Sequence, residues 1–155
     1  MNNYNAYFAG FFDGEGTVDI RARHTHAGKY TRFELRVSIP QVIDTPLLKL
    51  QELWGGSITR SKVKNISVWC CTSHQAIKFL SDIYPYLMVK NDEVSLALGF
   101  ANLMTSFERT SKSTGGFAKE SEDRINMKFF YFHELRHLRK QKGFASKHRN
   151  PLFAS

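Results

Sequence analysis

The stretch Phe8-Ala9-Gly10-Phe11-Phe12-Asp13-Gly14-Glu15-Gly16 constrains this chain most, because an alternating run, Thr17-Val18-Asp19-Ile20-Arg21-Ala22-Arg23, follows it at once. From about Asn5 the first part mixes aromatic and small residues and reads as a short helix, whereas the run after Gly16 has the period of a half-buried strand. Asp13 and Glu15 therefore sit where a helix stops and the chain turns sharply, a place that glycine suits. Ala9, Gly10 and Gly14 set small side chains four and five residues apart, so another backbone can come close. A second helix is expected to pack there. Glu15, at the helix end, faces the negative pole of the macrodipole unless a cation offsets it. A metal ion is expected in that role. In the strand that follows, Asp19, Arg21 and Arg23 project from one face and Val18, Ile20 and Ala22 from the other. The polar face is rich in groups that read base edges.

Phe8 to Gly16 resembles the nine-residue motif of the LAGLIDADG homing endonucleases, with Phe for the first Leu, Phe-Phe for the middle apolar pair and Gly14-Glu15-Gly16 as the ending. Further matches extend the resemblance over most of residues 5–105. The motif occurs once, which in this family implies a homodimer whose motif helices pack across a twofold axis, with Ala9, Gly10 and Asp13 at the interface. Asp13 is also expected to pair with backbone or side chains at the helix junction.

A DNA-binding reading needs positive charge, and the 155-residue chain carries a net +8. That balance points to a polyanion, with nucleic acid the first candidate and a generally basic soluble protein the alternative. No apolar run approaches the roughly 20 residues of a membrane span. Met1-Asn2-Asn3-Tyr4 lacks the basic region of a secretion signal, so no membrane partner is expected. Cys70 and Cys71 are adjacent, which strains a bridge and lacks zinc-site spacing. Both are expected to be reduced, in an intracellular, reducing compartment that holds the target DNA, an organelle or a prokaryotic cytoplasm.

The rest of the chain reads as one domain, 1–155, with a core at 5–105 and a C-terminal loop, helix and basic tail at 106–155. Residues 24–29 form a turn, and 30–39 a second strand in which Phe33, Leu35, Val37 and Ile39 alternate with Arg32, Glu34, Arg36 and Ser38. Asp44 is expected to cap a helix over 45–54 that Gly55-Gly56 end. A second hairpin, 57–60 with 66–72, is joined by a loop holding Lys62 and Lys64, which either stands in solvent or runs along phosphates. Ser73 is expected to cap the next helix, which Pro85 stops. A core helix is expected over 92–107, a loop over 108–120, and a last helix over 121–142 ending at Gly143.

This order predicts an α+β fold, an antiparallel sheet with helices on one face. The resemblance implies the αββαββα core of LAGLIDADG homing endonucleases, with a saddle-shaped sheet on DNA and helices behind it. Two strands presenting Asp19, Arg21, Arg23, Arg32, Glu34, Arg36 and Ser38 form a ribbon that a DNA major groove admits and that A-form RNA's deep, narrow groove does not. Lys62, Lys64 and Trp69 complete the expected DNA-binding set, leaving intron RNA the less expected partner. Phosphodiester cleavage needs an activated water and a Lewis acid, and two carboxylates brought together at a dimer axis are tolerable only around cations. Mg²⁺ suits their hard oxygens, and Mn²⁺ can substitute. By resemblance Gly14 lends a carbonyl to the metal, Gln41 positions water, and Lys90, in the family's Pro-aromatic-Leu-x-x-Lys stretch, stabilises charge. The activity the resemblance implies is a metal-dependent double-strand break in a long pseudo-palindromic DNA site by an intron-encoded protein. A non-cleaving relative, a splicing maturase or DNA-binding regulator, is the alternative, and a basic protein whose sheet packs a protein partner is a third reading.

Overall fold

A computed structural model describes residues 3–24, 31–111 and 120–148, with backbone only for 107–111 and 143–148. The chain runs α1 (Tyr4–Glu15), β1 (Thr17–His24), β2 (Thr31–Gln41), α2 (Thr45–Trp54), β3 (Ser57–Ser61), β4 (Ile66–Thr72), α3 (Ser73–Ile83), a 3-10 turn (Tyr84–Tyr86), α4 (Asn91–Ser111) and α5 (Glu122–His148). The four strands make one antiparallel sheet in the order β1-β2-β4-β3. This is the α+β arrangement that the alternating strands and the intervening helices imply.

One face of the sheet is sealed. Val18 and Ile20 of β1, Phe33, Leu35, Val37 and Ile39 of β2, and Trp69 and Cys71 of β4 are buried beneath the helices. Phe79 of α3 is the hub of an aromatic cluster, meeting Trp54, Trp69 and Phe12 with ring centroids 5.1, 5.2 and 5.8 Å apart. Such edge-on pairs add about 0.5–1.5 kcal/mol each beyond the area they bury. α1 enters this core through Phe8, Ala9 and Phe12. α5 lies against α4 and the outer strand β1, seating Phe129 and Phe132 on Phe33 at 5.0 and 5.9 Å.

Several expectations are corrected here. Trp69 is fully buried and donates its indole N–H to the Gly55 carbonyl at 2.8 Å, so it belongs to the core and not to a DNA-binding face. Both faces of β4 are apolar enough in sequence, Ile66-Val68-Cys70 against Ser67-Trp69-Cys71, that alternation alone could not choose between them. Burying the larger side chain decides it. Ala9 is likewise fully buried within its own chain, which removes it from any interface. Neither Asp44 nor Ser73 makes a side-chain helix cap: Asp44 instead pairs with Arg60 at 3.4 Å, and the position preceding α3 is Thr72. α4 continues to Ser111, so the first residues of the expected loop are helical, and 112–119 lie outside the described residues. α5 runs through Gly143 to His148. Residues 25–30, with most of the expected turn, and the end of the basic tail from Arg149 also lie outside the described residues.

Candidate functional site

The face of the sheet opposite the core is polar where β1 and β2 pair. The register sets Thr17 beside Ser38, Asp19 beside Arg36, Arg21 beside Glu34 and Arg23 beside Arg32. All seven strand residues expected to meet DNA therefore share one face. Opposite charges stand across from each other in the middle of this ribbon, and Arg23 reaches diagonally to Glu34 at 3.7 Å. Such exposed pairs hold weakly and can be exchanged for a ligand. Arg36 is half-buried and donates Nε–H to the Cys70 sulfur at 2.8 Å, which fixes its stem. Lys62 and Lys64 stand exposed in the tight turn between β3 and β4.

At the α1 end of this ribbon the chain builds a cleft of about 380 Å³ lined by Gly14, Glu15, Gly16 and Lys90. Gly16 passes beneath the Phe12 ring so closely that an added Cβ would lie 2.0 Å from Phe12 Cδ2. Only glycine lets α1 feed β1 there. Asp13 turns back into its own chain and accepts hydrogen bonds from the amides of Met88, Val89 and Lys90 at 2.7, 3.2 and 3.0 Å. Its carboxylate is thereby used within the chain, as the junction role requires, and not at an interface. Lys90 donates its ammonium to the carbonyls of Phe12 and Gly16, 2.8 and 2.6 Å away. This places a cation at the negative pole of α1, so the charge that offsets the helix dipole near Glu15 is in part a lysine. Burial lowers the Lys90 pKa from its ordinary value, while the charges of Asp13, Glu93 and Glu15 oppose that shift. Glu15 itself is exposed at the cleft.

Gln41 is not among the residues that line this cleft. The register of Thr17 with Ser38 carries β2 past the start of β1, so Gln41 lies toward the end of the sheet where α1 enters, with its Oε1 accepting the Val42 N–H at 2.8 Å. Three charged residues of the cleft lining escape sequence reasoning: Glu93 of α4, and Arg139 and Lys142 of α5. Arg139 stands 3.6 Å from Asp19 on the ribbon, and Lys142 is 2.6 Å from Glu93. Their signal in sequence is only that α5 is basic, since nothing short-range links residue 142 to residue 93. Among the described residues no three His, Cys, Asp or Glu side chains gather where they could hold a metal ion, and no helix is long and apolar enough to cross a membrane.

The sequence pattern of the LAGLIDADG endonucleases matches residues 8–94, from the first core phenylalanine of α1 to the first turn of α4. The chain belongs to the LAGLIDADG endonuclease family. Solved structures of LAGLIDADG proteins share its fold at low identity. An archaeal intron-encoded homing endonuclease, I-Vdi141I, complexed with DNA, is 19% identical over 86% of this chain and 96% of its own, with a TM-score of 0.57. The homing endonuclease I-CvuI, in complex with the I-CreI target in the presence of Mg, is 17% identical over 88% and 99%, with a TM-score of 0.59. The meganuclease I-SmaMI, bound to uncleavable DNA, is 15% identical over 83% of this chain but only 43% of its own, with a TM-score of 0.67. The present chain thus corresponds in size to less than half of that LAGLIDADG protein. No curated protein matches the sequence.

Proposed function

We propose that this chain is a site-specific DNA endonuclease that acts as a homodimer and cleaves both strands of a near-palindromic duplex by phosphodiester hydrolysis. The observation that carries the reading is Glu15, a carboxylate exposed in a cleft beside a half-buried lysine, at the end of a polar two-stranded ribbon. Arg21, Arg23, Arg32, Arg36 and the charges between them lie along the duplex groove, and Lys62 and Lys64 reach its phosphates. Intron encoding, the description of one structural neighbour, is part of the same proposal.

Glu15 and the carbonyl of Gly14 are hard oxygen donors of the kind Mg²⁺ or Mn²⁺ takes. The described residues of one chain gather too few such donors, so on this reading a second copy completes the set. The outward face of α1 suits that copy, since a Cβ on Gly10 or Gly14 would meet nothing within 4 Å. Two α1 helices packed along this face bring two Glu15 carboxylates near one axis. When bound, a divalent ion supplies Lewis-acid polarisation of the scissile phosphate and lowers the pKa of an attacking water. The ammonium of Lys90 has three N–H groups, two of them committed to the carbonyls of Phe12 and Gly16. The third is available to a phosphate oxygen or a developing alkoxide. Gln41, at the same end of the sheet, offers an amide that orients water.

The test is Glu15→Gln, which keeps shape and removes charge. Cleavage should fall about 10³-fold or more, the loss of several kcal/mol of transition-state stabilisation, with DNA affinity little changed. Loss of DNA binding in the absence of metal would make Glu15 structural. Binding without cutting by the unaltered protein would favour the non-cleaving relative of the family.

A further inference from the structure

We infer that Lys142 is a positioning residue for Lys90, so that α5 is part of the catalytic centre and not an appendage to it. Four residues, Leu87 to Lys90, link the 3-10 turn to α4; Leu87 is anchored in the core, but apolar burial cannot hold Met88, Val89 and Lys90 beyond it, since Met88 is 90% and Val89 59% exposed. Polar contacts hold these three instead. From one side Asp13 receives their three amides. From the other, the Lys142 ammonium donates to the Val89 carbonyl at 2.8 Å. The peptide immediately before Lys90 is thus gripped from both sides, which fixes where the Lys90 stem starts and which way its ammonium can reach.

The same Lys142 ammonium lies 2.6 Å from Glu93 Oε2. Glu93 is only 5% exposed, and a buried carboxylate left without a partner destabilises the fold. The pair therefore has two separable effects: it neutralises a buried charge, and it anchors the Val89 carbonyl. A merely structural lysine would have only the first. The consequence for cleavage rests on the endonuclease reading, whereas the grip on the link does not.

The experiment separates the two effects with the full-length protein, comparing Lys142→Met, Lys142→Arg, and Lys142→Met combined with Glu93→Gln. Lys142→Met alone strands the Glu93 carboxylate and should lower the melting temperature. The double variant removes that buried charge and should melt within a few degrees of the unaltered protein, yet the bond to the Val89 carbonyl stays lost. Its single-turnover cleavage at saturating DNA should therefore remain about tenfold slow, with DNA affinity within about twofold. Amide exchange at Met88, Val89 and Lys90 should be about tenfold faster in it. Lys142→Arg, which keeps a donor, should retain most of the rate. Wild-type cleavage and unchanged exchange in the double variant would overturn the proposal. Should the unaltered protein cut no DNA, the endonuclease reading falls, while faster or unchanged exchange still decides for or against the grip on the link.

Discussion

The two faces of α1 carry similar residues under opposite constraints. Inward, Ala9 and Phe12 have no exposed surface, Gly16 just past the helix end has no room for a Cβ, and Asp13 is bound by three amides. Outward, Tyr7 is 57% exposed, Gly10 and Gly14 face open space, and Glu15 stands free of such a network at the cleft. The inward residues are explained by the chain's own packing. The outward ones are not, and a glycine pair that nothing among the described residues requires is a reason to look for a second body against it.

The largest expected effect is at the glycines. Gly16→Ala should destabilise by about 2 kcal/mol, because the buried Phe12 ring has nowhere to retreat. Gly14→Ala, in contrast, should leave the single chain as stable or raise its stability by about 0.5–1 kcal/mol through helix propensity. Equal losses in a chemical-denaturation series would erase the contrast between the two faces. Sedimentation sharpens it, since Gly14→Ala should weaken self-association if α1 packs on its copy.

The carboxylates come next. Asp13→Asn keeps one acceptor oxygen but sets an NH2 against an amide that the other oxygen accepts from, and should cost about 1–2 kcal/mol in the same series. Glu15→Gln should change stability by less than about 0.5 kcal/mol. A larger cost at Glu15 would mean that the cleft holds it more firmly than its exposure indicates.

The smallest effect is on pH dependence. Burial lowers the folded pKa of Lys90 from the ordinary 10.5, so between the two values the unfolded chain binds more protons. Stability should rise with pH across that window, and below it Lys90 should add no pH slope. Lys90→Met should flatten the slope, as read from denaturation midpoints at increasing alkaline pH. An unchanged slope would assign it to other groups.

Much of this architecture was legible in the chain. The alternation of Phe33, Leu35, Val37 and Ile39 with charged partners placed β2 and its polar face, and Pro46 with Gly55-Gly56 bounded α2 closely. Where both faces of an element are apolar, as on β4, period alone carries no direction, and only side-chain size turns Trp69 inward. The reach of α5 was invisible for a different reason. Lys142 meets Glu93 and Val89 across about 50 residues, and a contact of that separation leaves no periodicity or spacing to read. The helix passes Gly143 because a single glycine costs it only about 1 kcal/mol, which is not a stop. Of the candidate site, Glu15 and Lys90 line one cleft, whereas Gln41 lies outside the cleft lining and Ala9 is a core residue.

The most direct measurement is cleavage of a randomised duplex library by the full-length protein with and without Mg²⁺, with sequencing of the cut ends. Cuts that depend on the metal and fall within one near-palindromic sequence are the predicted result, and they would report activity, twofold symmetry and target together. Specific binding with no cut in either Mg²⁺ or Mn²⁺ would contradict the account.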